Sequence, residues 1–286
     1  MGKILVTGAT GNIGKSVVNE LMKRGEEVKA ALFDIKEDVA CEKVKFDFLN
    51  AETFTEALED VDRIFLVRPP QLANPKKDMR PFLEVVASKK IKQVVFISLL
   101  GVEKNPIVPH RKIEDMIKQM AIPYTFIRPG FFMQNLSTTH AAEIRDRNEI
   151  FVPVGKAKTS FIDTRDIGAV AAECFTSDKH IYQSYTLTGS EAIDYYEVAQ
   201  ILSEELERKV VYKNPGLLEF RRETIKRGTK KEFANVMTML YLLTKMGTAE
   251  KVTDDLERVM QRKPITFKQF VRDHKNTWET KTKITV

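Results

Sequence analysis

Lys3-Ile4-Leu5-Val6-Thr7-Gly8-Ala9-Thr10-Gly11-Asn12-Ile13-Gly14 runs into an amphipathic stretch from Lys15 to Arg24, and this junction decides the fold. A short apolar run that stops at a glycine-spaced turn and resumes as a helix predicts a dinucleotide-binding βαβ unit. Gly8 permits the tight turn, Gly11 lets the backbone approach a pyrophosphate, and Gly14 lets the helix pack closely on the strand. Phosphates then sit at the helix N-terminus, where unpaired N–H groups and the helix dipole favour negative charge. Thr7, Thr10, Asn12 and Ile13 complete the stretch expected to face the cofactor.

Beyond this junction, short apolar runs alternate with helical patterns, the signature of a parallel sheet covered by helices on both faces. Strands are expected at 3–7, 28–33, 43–48, 62–67, 92–98 and 123–127, with helices near 12–24, 51–58, 76–90 and 109–120. Pro69-Pro70 ends the fourth strand in an extended exit, at the strand edge where open α/β sheets bind ligands. Residues 151–155 and 159–163 read as short strands, Asp166 as the N-cap of a helix from Ile167 to about Phe175, and 185–189 as a further strand. A helix from about Tyr195 to Glu207 follows, and beyond Val210-Val211-Tyr212 the chain turns helical, basic and rich in Met and Leu. The pattern predicts an α/β, doubly wound, parallel-sheet Rossmann fold over 1–183 and a smaller, mostly helical C-terminal lobe over 184–286, with 130–160 contributing partly to that lobe.

The composition is that of an ordinary globular enzyme: 286 residues, 43% hydrophobic and 30% charged. No apolar run approaches the roughly 18 residues of a membrane span, and Met1 leads almost directly into the first strand, so a cytoplasmic protein without membrane contact is expected. Cys41 and Cys174 are too far apart in sequence to suggest a disulfide framework, and His110, His140, His180 and His274 show no ligand spacing, so no metal is expected. Residues 207–286 hold 19 Lys/Arg against 10 Asp/Glu, whereas 1–206 carry a small acidic excess. The basic clusters Arg221-Arg222, Lys226-Arg227 and Lys230-Lys231 lack interleaved aromatics, which argues against nucleic acid and for a solvated helical surface, with a protein partner as the alternative.

The spacing G-x-x-G-x-x-G resembles the extended and atypical short-chain dehydrogenases/reductases. Ile64-Phe65-Leu66-Val67-Arg68-Pro69-Pro70, Pro109-His110-Arg111-Lys112-Ile113-Glu114 and Ile122-Pro123-Tyr124-Thr125-Phe126-Ile127-Arg128-Pro129-Gly130-Phe131-Phe132-Met133-Gln134-Asn135 narrow the resemblance to the NmrA-like branch of the atypical group. Phe161-Ile162-Asp163-Thr164-Arg165-Asp166-Ile167 and Tyr185-Thr186-Leu187-Thr188-Gly189 extend it over roughly residues 3–275. The resemblance implies bound NAD(P)(H) and either a reductase of quinones or azo dyes or a redox-sensing regulator without turnover. By family position, Asp47 accepts from the adenine amino group, Phe48 packs on the base, and Leu66, Val67 and Arg68 pass backbone along the cofactor. Pro129, Gly130 and Phe131 join the cofactor set, and Phe131, Phe132, Met133 and Asn135 form the substrate set.

At the second strand end many such reductases carry an arginine that clasps the 2′-phosphate of NADP. This chain has Phe33 followed by Asp34, twenty residues after Gly14, near the place where an acidic group bonds the ribose hydroxyls of NAD and repels a phosphate. The expectation is a slight preference for NAD.

The Tyr-x-x-x-Lys pair used by most short-chain dehydrogenases is missing. With Glu114 as the anchor four residues beyond the lysine position, that position is His110 and the tyrosine position is Pro106. Ser98 keeps the serine of the triad and is expected to hydrogen-bond a substrate oxygen. His110 is expected to contact the cofactor or to protonate a reduced product, since imidazole titrates near neutrality. A quinone-like or conjugated aromatic acceptor tolerates the missing acid, because hydride delivery leaves a delocalised anion. The leading expectation is therefore an NAD(P)H-dependent oxidoreductase acting on such a small-molecule electron acceptor. The alternatives are a non-catalytic NAD(P) sensor working through a partner protein and, disfavoured by the absent tyrosine, a nucleotide-sugar epimerase.

Overall fold

The computed structural model describes residues 2–279. Along the chain the elements are β1 (Lys3–Thr7), α1 (Asn12–Lys23), β2 (Val28–Leu32), β3 (Glu42–Lys45), α2 (Glu52–Ala57), β4 (Val61–Val67), α3 (Pro75–Asp78), α4 (Arg80–Ser88), β5 (Gln93–Ile97), α5 (Pro109–Gln119) and β6 (Tyr124–Pro129). They continue as β7 (Phe131–Phe132), α6 (Gln134–Ser137), α7 (Ala141–Arg147), β8 (Glu149–Ile150), β9 (Phe161–Ile162), α8 (Thr164–Cys174), β10 (Gln183–Leu187), α9 (Tyr195–Glu205) and β11 (Val211–Tyr212). The last helices are α10 (Leu217–Lys226), α11 (Lys231–Lys245), α12 (Asp255–Met260), α13 (Phe267–Asp273) and α14 (Lys275–Trp278).

Seven strands form one sheet in the order β10-β6-β5-β4-β1-β2-β3, and every pairing in it is parallel. The order reverses between β1 and β4, the point where a doubly wound sheet opens its ligand crevice beyond the strand C-termini. Apolar side chains of β1–β5, α2, α4 and α5 bury one face, with Phe46, Phe54 and Phe82 at its centre. On the other face α1 meets α8 so closely that a Cβ on Gly168 would come within 2.7 Å of the Ser16 backbone. No helix of the described residues is long and apolar enough to cross a membrane.

The chain divides into two compact units, but not at a single boundary near 183/184. Among the described residues, the first comprises 2–129, 164–187 and 254–263, and the second comprises 130–163, 188–253 and 264–279. The reason is the sheet: β10 completes it by pairing with β6, and Asp255 of α12 holds the Thr186 N–H at 2.7 Å, so both segments belong with the first unit. The second unit is mostly helical, with the short parallel pairs β7–β9 and β8–β11. Its core gathers Phe161, Tyr195, Phe220 and Trp278, and the Trp278 indole donates to the Leu136 carbonyl at 3.0 Å.

Three local expectations need correction. The helix expected over 76–90 is two helices broken at Met79, because the Pro81 ring excludes a continuing helix four residues back. Residues 151–155 are not a strand; pairing stops at Ile150, where β8 meets the two residues of β11. Asp166 does not cap a helix but lies inside α8, fully buried, with its carboxylate 2.7 Å from the Arg262 guanidinium.

Candidate active site

The turn after β1 is shaped by two glycines. Gly8 has a φ of +63°, which a side chain would strain, and a Cβ on Gly14 would stand 2.0 Å from the Gly8 carbonyl oxygen. Gly11 is the N-cap of α1 and has no side chain to cap it. The N–H groups of the first turn therefore lack intrahelical partners and carry the positive end of the helix dipole. Thr10 is half-buried, Asn12 is exposed and Ile13 is buried. Thr7, expected to face a cofactor, instead spends its hydroxyl on the sheet: it accepts from the Val67 N–H at 2.8 Å and lies 3.2 Å from the Phe65 carbonyl. Val67 rests against Gly8, 3.5 Å from where a Cβ would be, whereas the Leu66 side chain is buried in the core and has only backbone to offer.

At the C-terminal ends of β2 and β3 stand Phe33, Asp34 and Lys45. Phe33 is 68% exposed. The Asp34 carboxylate accepts the Lys36 N–H at 3.0 Å, closing a turn. Asp47 does the same for the Leu49 N–H at 2.9 Å, leaving it half-buried at the strand end. Phe48 is not available to pack on a base: it is 7% exposed, its ring edge-on to Phe46 at 4.7 Å and to Phe82 at 5.5 Å. Lys45, which no motif flagged, lies over the Phe33 ring with its ammonium 4.5 Å from the centroid and donates to the Phe33 carbonyl.

At the ends of β4 and β5 two buried polar atoms have no protein partner, the Ser98 hydroxyl and the Arg68 Nε. Ser98 is 3% exposed, so its hydroxyl is desolvated and aimed at something other than solvent. Arg68 Nη1 donates to the carbonyls of Pro69, Pro70 and Leu72 at 2.9, 3.0 and 2.9 Å, pinning the proline loop. His110, at the start of α5, stacks on Phe96 with ring centroids 6.0 Å apart. Burial, with the nearby Arg68 charge, pushes its imidazole down to about 3. It is therefore neutral at physiological pH, and the proton-donor role expected of it is withdrawn. Glu114, one turn further along α5, is fully buried and held bidentate by Arg128 of β6 at 3.0 and 2.7 Å, which fixes the helix carrying His110.

The remaining expected residues lie around the start of the second unit, immediately after Pro129. Gly130, Phe131, Phe132 and Asn135 are partly exposed. The Phe131 ring stacks on Tyr241 at 6.3 Å, and the Tyr241 hydroxyl is 2.7 Å from His140 Nε2. Met133, expected to touch substrate, is a core residue at 2% exposure packed with Phe161.

The NmrA-like family model matches residues 1–273. The chain belongs to the NmrA-like family. A NAD(P)H azoreductase of Xenophilus azovorans is 32% identical over 282 residues, spanning 95% of this chain and 97% of that protein. Prestalk A differentiation protein A of Dictyostelium discoideum is 28% identical over 279 residues, spanning 94% and 91%. Among solved structures, an NADPH-dependent quinone oxidoreductase of Escherichia coli complexed with NADPH superposes with a TM-score of 0.85 at 21% identity, over 94% of this chain and 99% of that one, a likeness of fold.

Within this NmrA-like chain the residues fit a nicotinamide dinucleotide. The Gly8–Gly14 contact, too close to admit a side chain, holds the first turn of α1 against the end of β1, and that turn presents uncapped N–H groups suited to a pyrophosphate. Farther along the strand ends, the orphaned Ser98 hydroxyl and Arg68 Nε are polar atoms that a bound group would satisfy. Thr7, Phe48 and Met133 are held by the protein itself, and Lys45 stands beside Phe33 at the strand end. Nothing in the local sequence marks Lys45; the pairing of β2 and β3, which sets it opposite Leu32, brings it to Phe33.

Proposed function

We propose that this protein is an NAD(P)H-dependent reductase of a quinone-like or other conjugated aromatic acceptor. Bound NAD(P)H supplies a hydride. The chain's own part is to hold the pyrophosphate on the first turn of α1, to hydrogen-bond an acceptor or ribose oxygen from Ser98 Oγ, and to exclude bulk water around His110 and Ser98. The observation that carries the acceptor class is the state of His110: the residue at the usual lysine position is neutral near pH 7, and Pro106 stands at the tyrosine position. The lack of an ionised donor at these two positions favours an acceptor whose reduced anion is stabilised by delocalisation and takes its proton from solvent on release. Within the second unit, Phe131 and Phe132 are partly exposed aromatic residues of the kind that stacks on such a ring. The names of the azoreductase and quinone oxidoreductase relatives agree with this class.

The test is turnover by the purified full-length protein of NADH and NADPH with benzoquinone, a naphthoquinone and an azo dye. Oxidation of the cofactor dependent on the acceptor is expected. Tight cofactor binding with no turnover across the panel would replace this reading by that of a sensor acting through a partner protein.

A further inference from the structure

We propose that Lys45 is the residue that reads the adenosine 2′-phosphate, so that the protein accepts NADPH despite lacking an arginine at the end of β2. The inference rests on the reductase reading above and names the cofactor that the same site prefers.

The geometry begins with the pairing of β2 and β3. Leu32 is in register with Lys45, and the Phe46 N–H bonds the Leu32 carbonyl at 2.8 Å, so the two strands run side by side to their C-terminal ends. Val44 points into the apolar face with Ala31 and Phe54. Strand alternation therefore sends Lys45 to the opposite face, the side of the sheet on which α1 lies. There its ammonium reaches the carbonyl of Phe33, the first residue past β2, and sits over the Phe33 ring.

In a doubly wound dinucleotide fold the residues just past β2 stand beside the adenosine ribose. Lys45 thus brings a cation from the neighbouring strand to the position that an arginine at residue 33 would otherwise serve. Two features suit it to a phosphate. Among the described residues no carboxylate lies within ion-pairing distance of its ammonium, whose recorded partners are the Phe33 carbonyl and ring. Three donors on one ammonium allow it to keep the carbonyl while meeting a phosphate oxygen. Asp34 opposes the phosphate from the same strand end, but its carboxylate is drawn into the turn with the Lys36 N–H. On this proposal the preferred cofactor is NADPH, where Phe33 and Asp34 alone favour NAD.

The experiment is direct binding of NADPH and NADH to the full-length protein, by calorimetry, for wild type, Lys45→Gln and Lys45→Arg. Wild type is expected to favour NADPH. Lys45→Gln is expected to lose roughly 10-fold or more in NADPH affinity while NADH changes less than about 2-fold, as for loss of one charge-assisted hydrogen bond. Lys45→Arg restores the preference, and the preference shrinks with added salt. The same NADPH/NADH ratio in wild type and Lys45→Gln, with binding intact, overturns the inference and leaves the reductase reading standing. Failure of wild type to bind either cofactor overturns both. Thermal denaturation of each variant verifies that exposed Lys45 is not a folding determinant.

Discussion

The Gly14 α-carbon and the Gly8 carbonyl oxygen approach so closely that no side chain fits between them: a Cβ on Gly14 would lie 2.0 Å from that oxygen. This contact sets how α1 enters its first turn, and therefore where the phosphate-binding N–H groups point. Gly14→Ala must push α1 away from β1 or distort the turn. The expected outcome is a fall of 10-fold or more in affinity for NADH and NADPH alike, together with a lower Tm, because the pyrophosphate is common to both cofactors. Calorimetric titration checks it, and a change confined to one cofactor would contradict it.

Ser98 gives a prediction with opposite signs in stability and activity. Its buried hydroxyl has no partner, so folding already carries the cost of desolvating it. Ser98→Ala is expected to leave Tm unchanged or slightly raised. If the hydroxyl meets an acceptor or ribose oxygen, the same variant loses roughly 1 kcal/mol or more of binding or transition-state interaction, about 5- to 10-fold in kcat/KM. Steady-state kinetics beside a melting curve separate the two effects. A loss of Tm with unchanged kinetics would make Ser98 a structural serine.

His110 is neutral in the folded protein because burial, and after it the Arg68 charge, depresses its pKa to about 3. The folded pKa lies below the ordinary histidine value of about 6.5, so the contribution to stability is complete above about pH 6.5 and is lost as pH falls from there towards 3. Kcat measured between pH 5.5 and 8 should then show no inflection from His110. His110→Gln, uncharged at every pH, should flatten the acid limb of the stability curve while leaving kcat nearly independent of pH in that window. Arg68→Met should raise the His110 pKa by removing the nearby cation, although burial keeps it below 6.5. Titration of the imidazole carbon-bound protons by NMR measures it. A His110 midpoint near 6.5 in wild type would reinstate this residue as a proton donor.

What the sequence reveals about this molecule follows the range of the interactions involved. β1, α1 and the strand ends are legible because a local glycine spacing and local apolar periodicity produce them. The break at Met79 is local too, a consequence of Pro81 that the periodicity of 76–90 conceals. By contrast, Asp166 reads as a cap only until Arg262 is brought to it, and β10 reads as part of a second lobe only until it pairs with β6. At the site, Thr7 resembles a ligand contact because nothing in its neighbourhood shows that the Val67 N–H occupies its hydroxyl. Lys45 is invisible for the same reason: its relevance is its position beside Phe33, twelve residues earlier, across a strand pairing.

Phe33 and Asp34 allow the cofactor reading to be tested from the other side of Lys45. Phe33 is 68% exposed, so replacing it disturbs little packing. Phe33→Arg places a planar, permanently charged fork at the strand end, and charge-assisted hydrogen bonds of about 1.5–3 kcal/mol predict a gain in NADPH affinity over NADH of roughly 10-fold or more. Asp34→Asn removes the charge that repels a 2′-phosphate while retaining an amide oxygen to accept the Lys36 N–H, so the turn should persist. It should raise the NADPH/NADH affinity ratio by less than Phe33→Arg, because it removes a repulsion without adding a donor fork. With both substitutions the preference should exceed either alone, and it should fall with ionic strength as exposed charges are screened. If neither single variant changes the ratio, the end of β2 lies away from the adenosine ribose, and Lys45, perched on the Phe33 carbonyl, loses its claim to the 2′-phosphate as well.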